Sequence, residues 1–152
     1  MRFQTRTYTC GPASIVNALR VFGVRVSEKK VAEHAGTTKK DGTGQFGLLQ
    51  AIERLGYEFK EILSTNQEDA WVQLNESLSL GRPVILSAQG HKHWVVACGQ
   101  IGENVIVIDS ERTISNKKEN GTWILTKGRL FKKWWLKGGD SYYGIVVQKE
   151  AE

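Results

Sequence analysis

Two different periodicities divide this chain. In the first half, apolar residues recur at helical spacing. Ile15, Val16, Leu19 and Phe22 form one such stripe, which opens with Gly-Pro and stops at Gly23. Ser27 is an N-cap for a second, short helix with Val31 and Ala32 on its apolar side and Gly36 at its end. After the loop "TTKKDGTG", the segment "QFGLLQAIERLG" predicts a third helix ending at Gly56, and "EDAWVQLNESLSLG" a fourth carrying Trp71, Leu74 and Leu78. From Pro83 onward the pattern changes to short β-branched runs: "PVILSA", "HWVVACGQI", "NVIVIDS" and, near the end, "YYGIVVQ". The short segments "QGHK" and "GE" between them suit hairpins, so the strands are expected to pair antiparallel. Helices followed by an antiparallel sheet define an α+β class rather than a chain of βαβ units.

At 152 residues the chain is expected to form one domain, residues 1–152, around a single core. No apolar run is long enough to span a bilayer, and "MRFQTRTY" lacks the apolar stretch of a secretory signal. That implies a cytoplasmic protein in which Cys10 and Cys98 stay reduced. The net charge of +5 is concentrated in "KGRLFKKWWLK", which holds five basic residues and no acidic one. Basic residues interleaved with aromatics can bind nucleic acid or an anionic membrane. Here Leu130, Phe131, Trp134 and Trp135 fall at helical spacing, so the aromatics are expected to pack on the core while the lysines reach water, and no nucleic-acid partner is expected.

Two motifs invite readings that their context rejects. "GTGQFG" matches the dinucleotide-binding pattern G-x-G-x-x-G, but no strand precedes it, so its glycines are read as shaping a loop. His91 and His93 share a parity that would suit a metal, yet no second ligand pair stands at recognisable spacing, and no metal or cofactor is expected.

The remaining chemistry lies in three places. Cys10 stands at a helix start, where free amide donors and the positive end of the dipole favour a thiolate; the competing reading is a small buried hydrophobe. His93 opens one strand and Asp109 ends the next. Hairpin pairing brings these two to the same edge of the sheet, where Asp109 can hold one imidazole nitrogen and leave the other for a thiol. Taken singly, His93 is equally a histidine with a backbone partner, and Asp109 a turn residue.

Together these residues resemble the papain-like cysteine peptidases, and among them the double-glycine leader peptidases that process bacteriocin precursors. The resemblance rests on "QTRTYTCGPAS", on "GHKHWVVACG" followed by "VIVIDS", and on "LFKKWW" before "YYGIVV", and so covers nearly the whole chain. It implies a papain-like fold with an N-terminal helical half packed on a C-terminal sheet. It also implies Cys10 as nucleophile, His93 as general base and acid, Asp109 as orienting residue and Gln4 as the oxyanion-hole side chain. An amide beside the Cys10 backbone N–H would give the oxyanion two donors. Two positions depart from the family's habit: Ser110 follows the aspartate where proline is frequent, and Thr9 precedes the cysteine where an acidic residue is frequent. The transporter segments to which many leader peptidases are fused are missing, which implies a standalone enzyme or an excised domain. The expected substrate is an extended peptide or protein segment, cut after Gly-Gly or another small-residue site. The alternatives are a deamidase or transglutaminase using the same triad, and a silent binding module with a basic C-terminal segment. Oligomeric state is not legible.

Overall fold

The computed structural model describes residues 1–149. The helical half forms as its periodicity predicts. Helix α1 spans Cys10–Arg20, α2 spans Glu28–Ala35 and α3 spans Gln45–Arg54. Ser27 caps α2 by accepting from the Lys30 N–H at 3.1 Å, and Gly36 ends it in the left-handed region. Strand β1 (Tyr57–Ser64) follows before α4 (Gln67–Ser79), whose N-cap is Asn66. The strand-rich half continues with β2 (Val84–Ala88), β3 (His93–Ile101) and β4 (Asn104–Ile108). A short helix α5 (Ile114–Lys118) leads to β5 (Thr122–Leu125). One turn of helix, α6 (Lys127–Arg129), runs into a π-helical turn over Leu130–Trp134, and β6 (Tyr142–Lys149) closes the fold.

All six strands join one antiparallel sheet in the order β1-β6-β2-β3-β4-β5. The α+β class and antiparallel pairing therefore hold, with two strands added. Strand β1 lies among the helices in sequence yet pairs with the terminal strand, Tyr57 opposite Lys149. Its segment "YEFKEILS" carries four charged or polar residues among its eight, as suits an edge strand, and its few buried positions hid it from pattern reading. β5 has only four residues and is also an edge.

The single core expected from chain length is divided by the sheet. One apolar layer joins α1, α2 and α3 to Ile85, Val96, Ile145 and Val147; the other joins α4 and the segment after β5 to Val84, Leu86, Val95, Val107 and Val146. Alternate residues of a strand face opposite sides, so with helices on both faces β2 is buried at every position.

The basic and aromatic segment packs as its spacing predicts. Leu130, Phe131 and Trp135 are buried, while Lys132 and Lys133 are exposed. The N–H of Trp135 reaches back five residues to the Leu130 carbonyl at 2.8 Å. That π step brings the Trp135 indole onto the sheet, where it stacks on Phe131 and donates from Nε1 to the Tyr143 carbonyl at 2.9 Å. Trp135→Ala should lower the unfolding free energy by ~3–5 kcal/mol. Lys132→Ala and Lys133→Ala should each stay within ~0.5 kcal/mol of the parent in urea titrations. A large effect of the lysines beside a small one of the tryptophan would show that this segment is not a core element.

Candidate active site

Cys10 is the first residue of α1, and the loop before it is folded on itself. Thr9 occupies the N-cap position without capping: its hydroxyl accepts from the Arg6 N–H at 3.0 Å and donates to the Arg6 carbonyl at 2.9 Å. The first-turn amides of α1 thus have no side-chain acceptor, which suits them to a negative charge developing beside Cys10. Ser14, one turn on and buried, shares its hydroxyl between the Cys10 carbonyl at 2.7 Å and the Trp94 carbonyl at 3.1 Å. That shared proton ties the start of α1 to the residue following His93.

The loop entering α3 approaches from the helical side. Its Thr43 carbonyl accepts from the Trp94 indole at 2.9 Å, and Thr43 packs on Gly11, where a Cβ would lie 3.0 Å from the threonine side chain. Gly47 is required for a similar reason, since a Cβ there would stand 2.5 Å from the Ala35 carbonyl oxygen. The "GTGQFG" glycines therefore shape a loop beside Cys10.

The hairpin of β3 and β4 pairs Val96 with Ile108, which carries His93 and Asp109 to the same end of the sheet. His93 Nε2 and Asp109 Oδ1 lie 2.7 Å apart, both residues buried. Cys10, at the start of the helix packed on β3, is close enough to influence the ring electrostatically. Burial is the largest single influence on the imidazole and opposes its charging. It is outweighed by the hydrogen bonds to Asp109 and Cys10 and by their charges, so the pKa rises from 6.5 to about 10. Cys98 lies elsewhere, at the bulge of β3, and burial raises its pKa, so that it stays a thiol. His91 is turned away from this chain of contacts, its Nδ1 bonded to the Ser87 hydroxyl at 2.6 Å.

Gln4 is buried under the 5–9 loop. Its amide nitrogen donates to the Arg6 carbonyl at 2.8 Å and to the Thr7 carbonyl at 3.3 Å, and its amide oxygen accepts from the Ser110 hydroxyl at 2.9 Å. His93 and Asp109 thus meet directly and Cys10 lies at the start of α1, the helix packed against β3, whereas the Gln4 amide is engaged by the loop that leads to Cys10.

Several residues that sequence reasoning passed over support this arrangement. The Asn116 side chain, buried behind the site, donates to the carbonyls of Asp109 and Glu111 and accepts from the Trp123 indole at 2.7 Å. Arg112 Nε donates to the Gln4 carbonyl at 2.7 Å. Their only signal in sequence was proximity to Asp109. Among the described residues one set of side chains has the spacing of a metal site: His93, Asp109 and Glu111 offer ligand atoms within 4.8 Å of one another. A metal there would take the nitrogen that His93 gives to Asp109. A groove of about 940 Å³ is lined by Arg6, Tyr8, Thr9, Val16, Glu28 and Ala32 among others, and includes none of Cys10, His93 and Asp109.

Known proteins share this architecture and part of its sequence. The chain is 27% identical over 128 residues to the lactococcin-G-processing and transport ATP-binding protein LagD of Lactococcus lactis subsp. lactis, matching 81% of this chain and 18% of that one. An uncharacterized protein of Methanothermobacter thermautotrophicus is 43% identical over 53 residues, 35% of this chain and 37% of its own length. The chain therefore spans well under two thirds of either relative. Among solved structures, the peptidase domain of Streptococcus ComA, a bi-functional ABC transporter involved in a quorum-sensing pathway, superposes with a TM-score of 0.71 at 20% identity, covering 98% of this chain and 97% of that one. A double glycine motif protease from an AMS/PCAT transporter, in complex with the leader peptide, gives 0.69 at 18% identity over 97% and 89% of the two chains. These likenesses establish the papain-like fold. The sequence pattern of the peptidase C39 family runs from residue 1 to residue 134, through both Cys10 and the β3–β4 hairpin. On that match the chain belongs to the peptidase C39 family, the family of double-glycine peptidases.

Proposed function

We propose that this peptidase is a thiol enzyme that cleaves an extended peptide after Gly-Gly or another small-residue site through a Cys10 acyl-enzyme. The observation that carries the reading is the buried His93–Asp109 pair at the end of the sheet against which α1, with half-buried Cys10 at its start, is packed. The structural neighbour that is a double glycine motif protease in complex with the leader peptide supports the substrate class. Both cysteines are free, which suits work in a reducing compartment such as the cytoplasm.

In the proposed cycle the Cys10 sulfur adds to the scissile carbonyl and the carbonyl electron pair moves onto oxygen. Amide donors at the start of α1, joined by the Gln4 side chain, stabilise that charge. His93 gives its proton to the leaving amine as the C–N bond breaks, leaving a thioester on Cys10. The neutral ring then takes a proton from water, which attacks the thioester and releases the carboxylate product. Asp109 keeps the ring's orientation and charge through both halves. A deamidase would run the same steps on a glutamine side chain, releasing ammonia. A peptide library incubated with the protein and with Cys10→Ala, read by mass spectrometry, separates these outcomes. Peptide-bond cleavage by the parent alone supports the proposal; a one-dalton gain without cleavage, or no change, overturns it.

The two histidines should rank clearly. His93→Ala should lower kcat/KM by roughly 10,000-fold or more, with the fold retained by circular dichroism, whereas His91→Ala should change it by less than about tenfold. The reverse ranking would mean that the β2–β3 turn presents the other histidine to Cys10.

The raised pKa of His93 sets an expected pH profile. The folded protein holds the ring proton more tightly than the unfolded chain, so this stabilisation is complete below pH 6.5 and is lost as pH rises through about 10. Activity that needs the imidazolium should keep its alkaline limb of kcat/KM near pH 10. Asp109→Asn, by removing a negative charge and its hydrogen bond, should draw that limb to lower pH. A parent profile already falling near pH 6.5 would show that the ring is neutral in the resting enzyme.

A further inference from the structure

We propose that Ser110 is a positioning residue for the Gln4 amide, an inference that rests on the reading of Gln4 as oxyanion donor. Ser110 is 1% exposed and Gln4 5%, and they lie 106 positions apart in the chain. Two bonds run between them. The Gln4 backbone N–H donates to the Ser110 carbonyl at 2.9 Å, and the Ser110 hydroxyl donates to Gln4 Oε1 at 2.9 Å. The Arg6 carbonyl accepts from the other end of the amide at 2.8 Å.

These contacts fix both the plane and the sense of the amide. A carbonyl can only accept, so the amide nitrogen faces Arg6, and the oxygen is left to the one group present that can donate to it, the Ser110 hydroxyl. One amide hydrogen is then firmly held and the second is weakly engaged with the Thr7 carbonyl at 3.3 Å. The weakly held hydrogen is the one for which an oxyanion beside Cys10 would compete with the Thr7 carbonyl. Donation to Oε1 also polarises the amide, which strengthens its N–H groups as donors. Because Ser110 follows Asp109 directly, a single dipeptide orients the general base through one side chain and the oxyanion donor through the next. A proline at this position could not supply that hydroxyl.

The test is a double-mutant cycle with an internally quenched peptide carrying Gly-Gly before the scissile bond. Active fraction is normalised by stoichiometric alkylation of Cys10, and folding is checked by thermal unfolding. Ser110→Ala should lower kcat roughly 5- to 10-fold, the scale of one neutral hydrogen bond, with KM within about twofold. In a Gln4→Ala background, itself reduced roughly 100-fold in kcat, Ser110→Ala should have no further effect. A Ser110→Ala enzyme with parental kcat beside a crippled Gln4→Ala enzyme overturns the inference alone. So does an equal loss from Ser110→Ala in both backgrounds, or a loss confined to melting temperature. A Gln4→Ala enzyme with parental kcat overturns the reading of Gln4 and the inference with it.

Discussion

A carboxylate taken almost wholly out of water must be met by hydrogen-bond donors, and the site is organised around meeting that requirement at Asp109. Its Oδ1 accepts from His93 Nε2 and, at 3.0 Å, from the Glu111 N–H. Its backbone is held as tightly, the N–H donating to the Gly121 carbonyl at 2.8 Å and the carbonyl accepting from Asn116. Removing one partner of a buried charged pair leaves the other uncompensated, typically at a loss of about 3–5 kcal/mol. The pairing therefore holds the His93 ring in one orientation.

The site bridges the sheet and the helical layer. Cys10 lies on α1 and His93 on β3, and these elements are held together by the apolar layer of Ile15, Leu19, Val96 and Ile145 between helix and sheet. Apolar packing alone leaves freedom to slide. The directional contacts that remove it are few: the Ser14 hydroxyl between the Cys10 and Trp94 carbonyls, and the Trp94 indole on the Thr43 carbonyl. Each ties Cys10 or the neighbour of His93 to an opposing element, so the geometry is set by hydrogen bonds while the energy comes from burial.

Much of this was legible in the chain, and the boundary of legibility is physical. Cys10, His93 and Asp109 announced themselves because helix starts and strand ends are local events, written in Gly-Pro, in β-branched runs and in a short turn. β1 did not, because an edge strand carries the charged residues that keep edges from pairing and so loses the apolar alternation that marks a strand. Ser110 and Asn116 did not either. Their partners are set by tertiary pairing, Ser110 with Gln4 across 106 positions and Asn116 with the backbone of the segment it buttresses. A polar residue whose only role is to meet a distant carbonyl or amide leaves no periodic trace. Gln4 was singled out through resemblance alone, and the network of bonds that holds its amide became visible only in three dimensions.

The C-terminal segment carries the same logic to the histidine's other flank. The turn before His93 holds Gln89, Gly90 and His91 all at positive φ, and two of the three have side chains that disfavour it. Each such residue costs about 1–3 kcal/mol and persists only where its surroundings over-determine it. Here they do. The Gln89 N–H donates to the Trp134 carbonyl at 3.0 Å, the Lys92 N–H to the Ala88 carbonyl at 3.1 Å, and the His91 ring lies where a Cβ on Gly138 would stand 1.7 Å from it. Only glycine fits at 138. The π turn that seats Trp135 in the core also presents the Trp134 carbonyl to this strained turn. The segment whose charge suggested a binding surface thus acts on the site from within, because the packing of its aromatics and the posture of His93's turn are set by the same stretch of backbone.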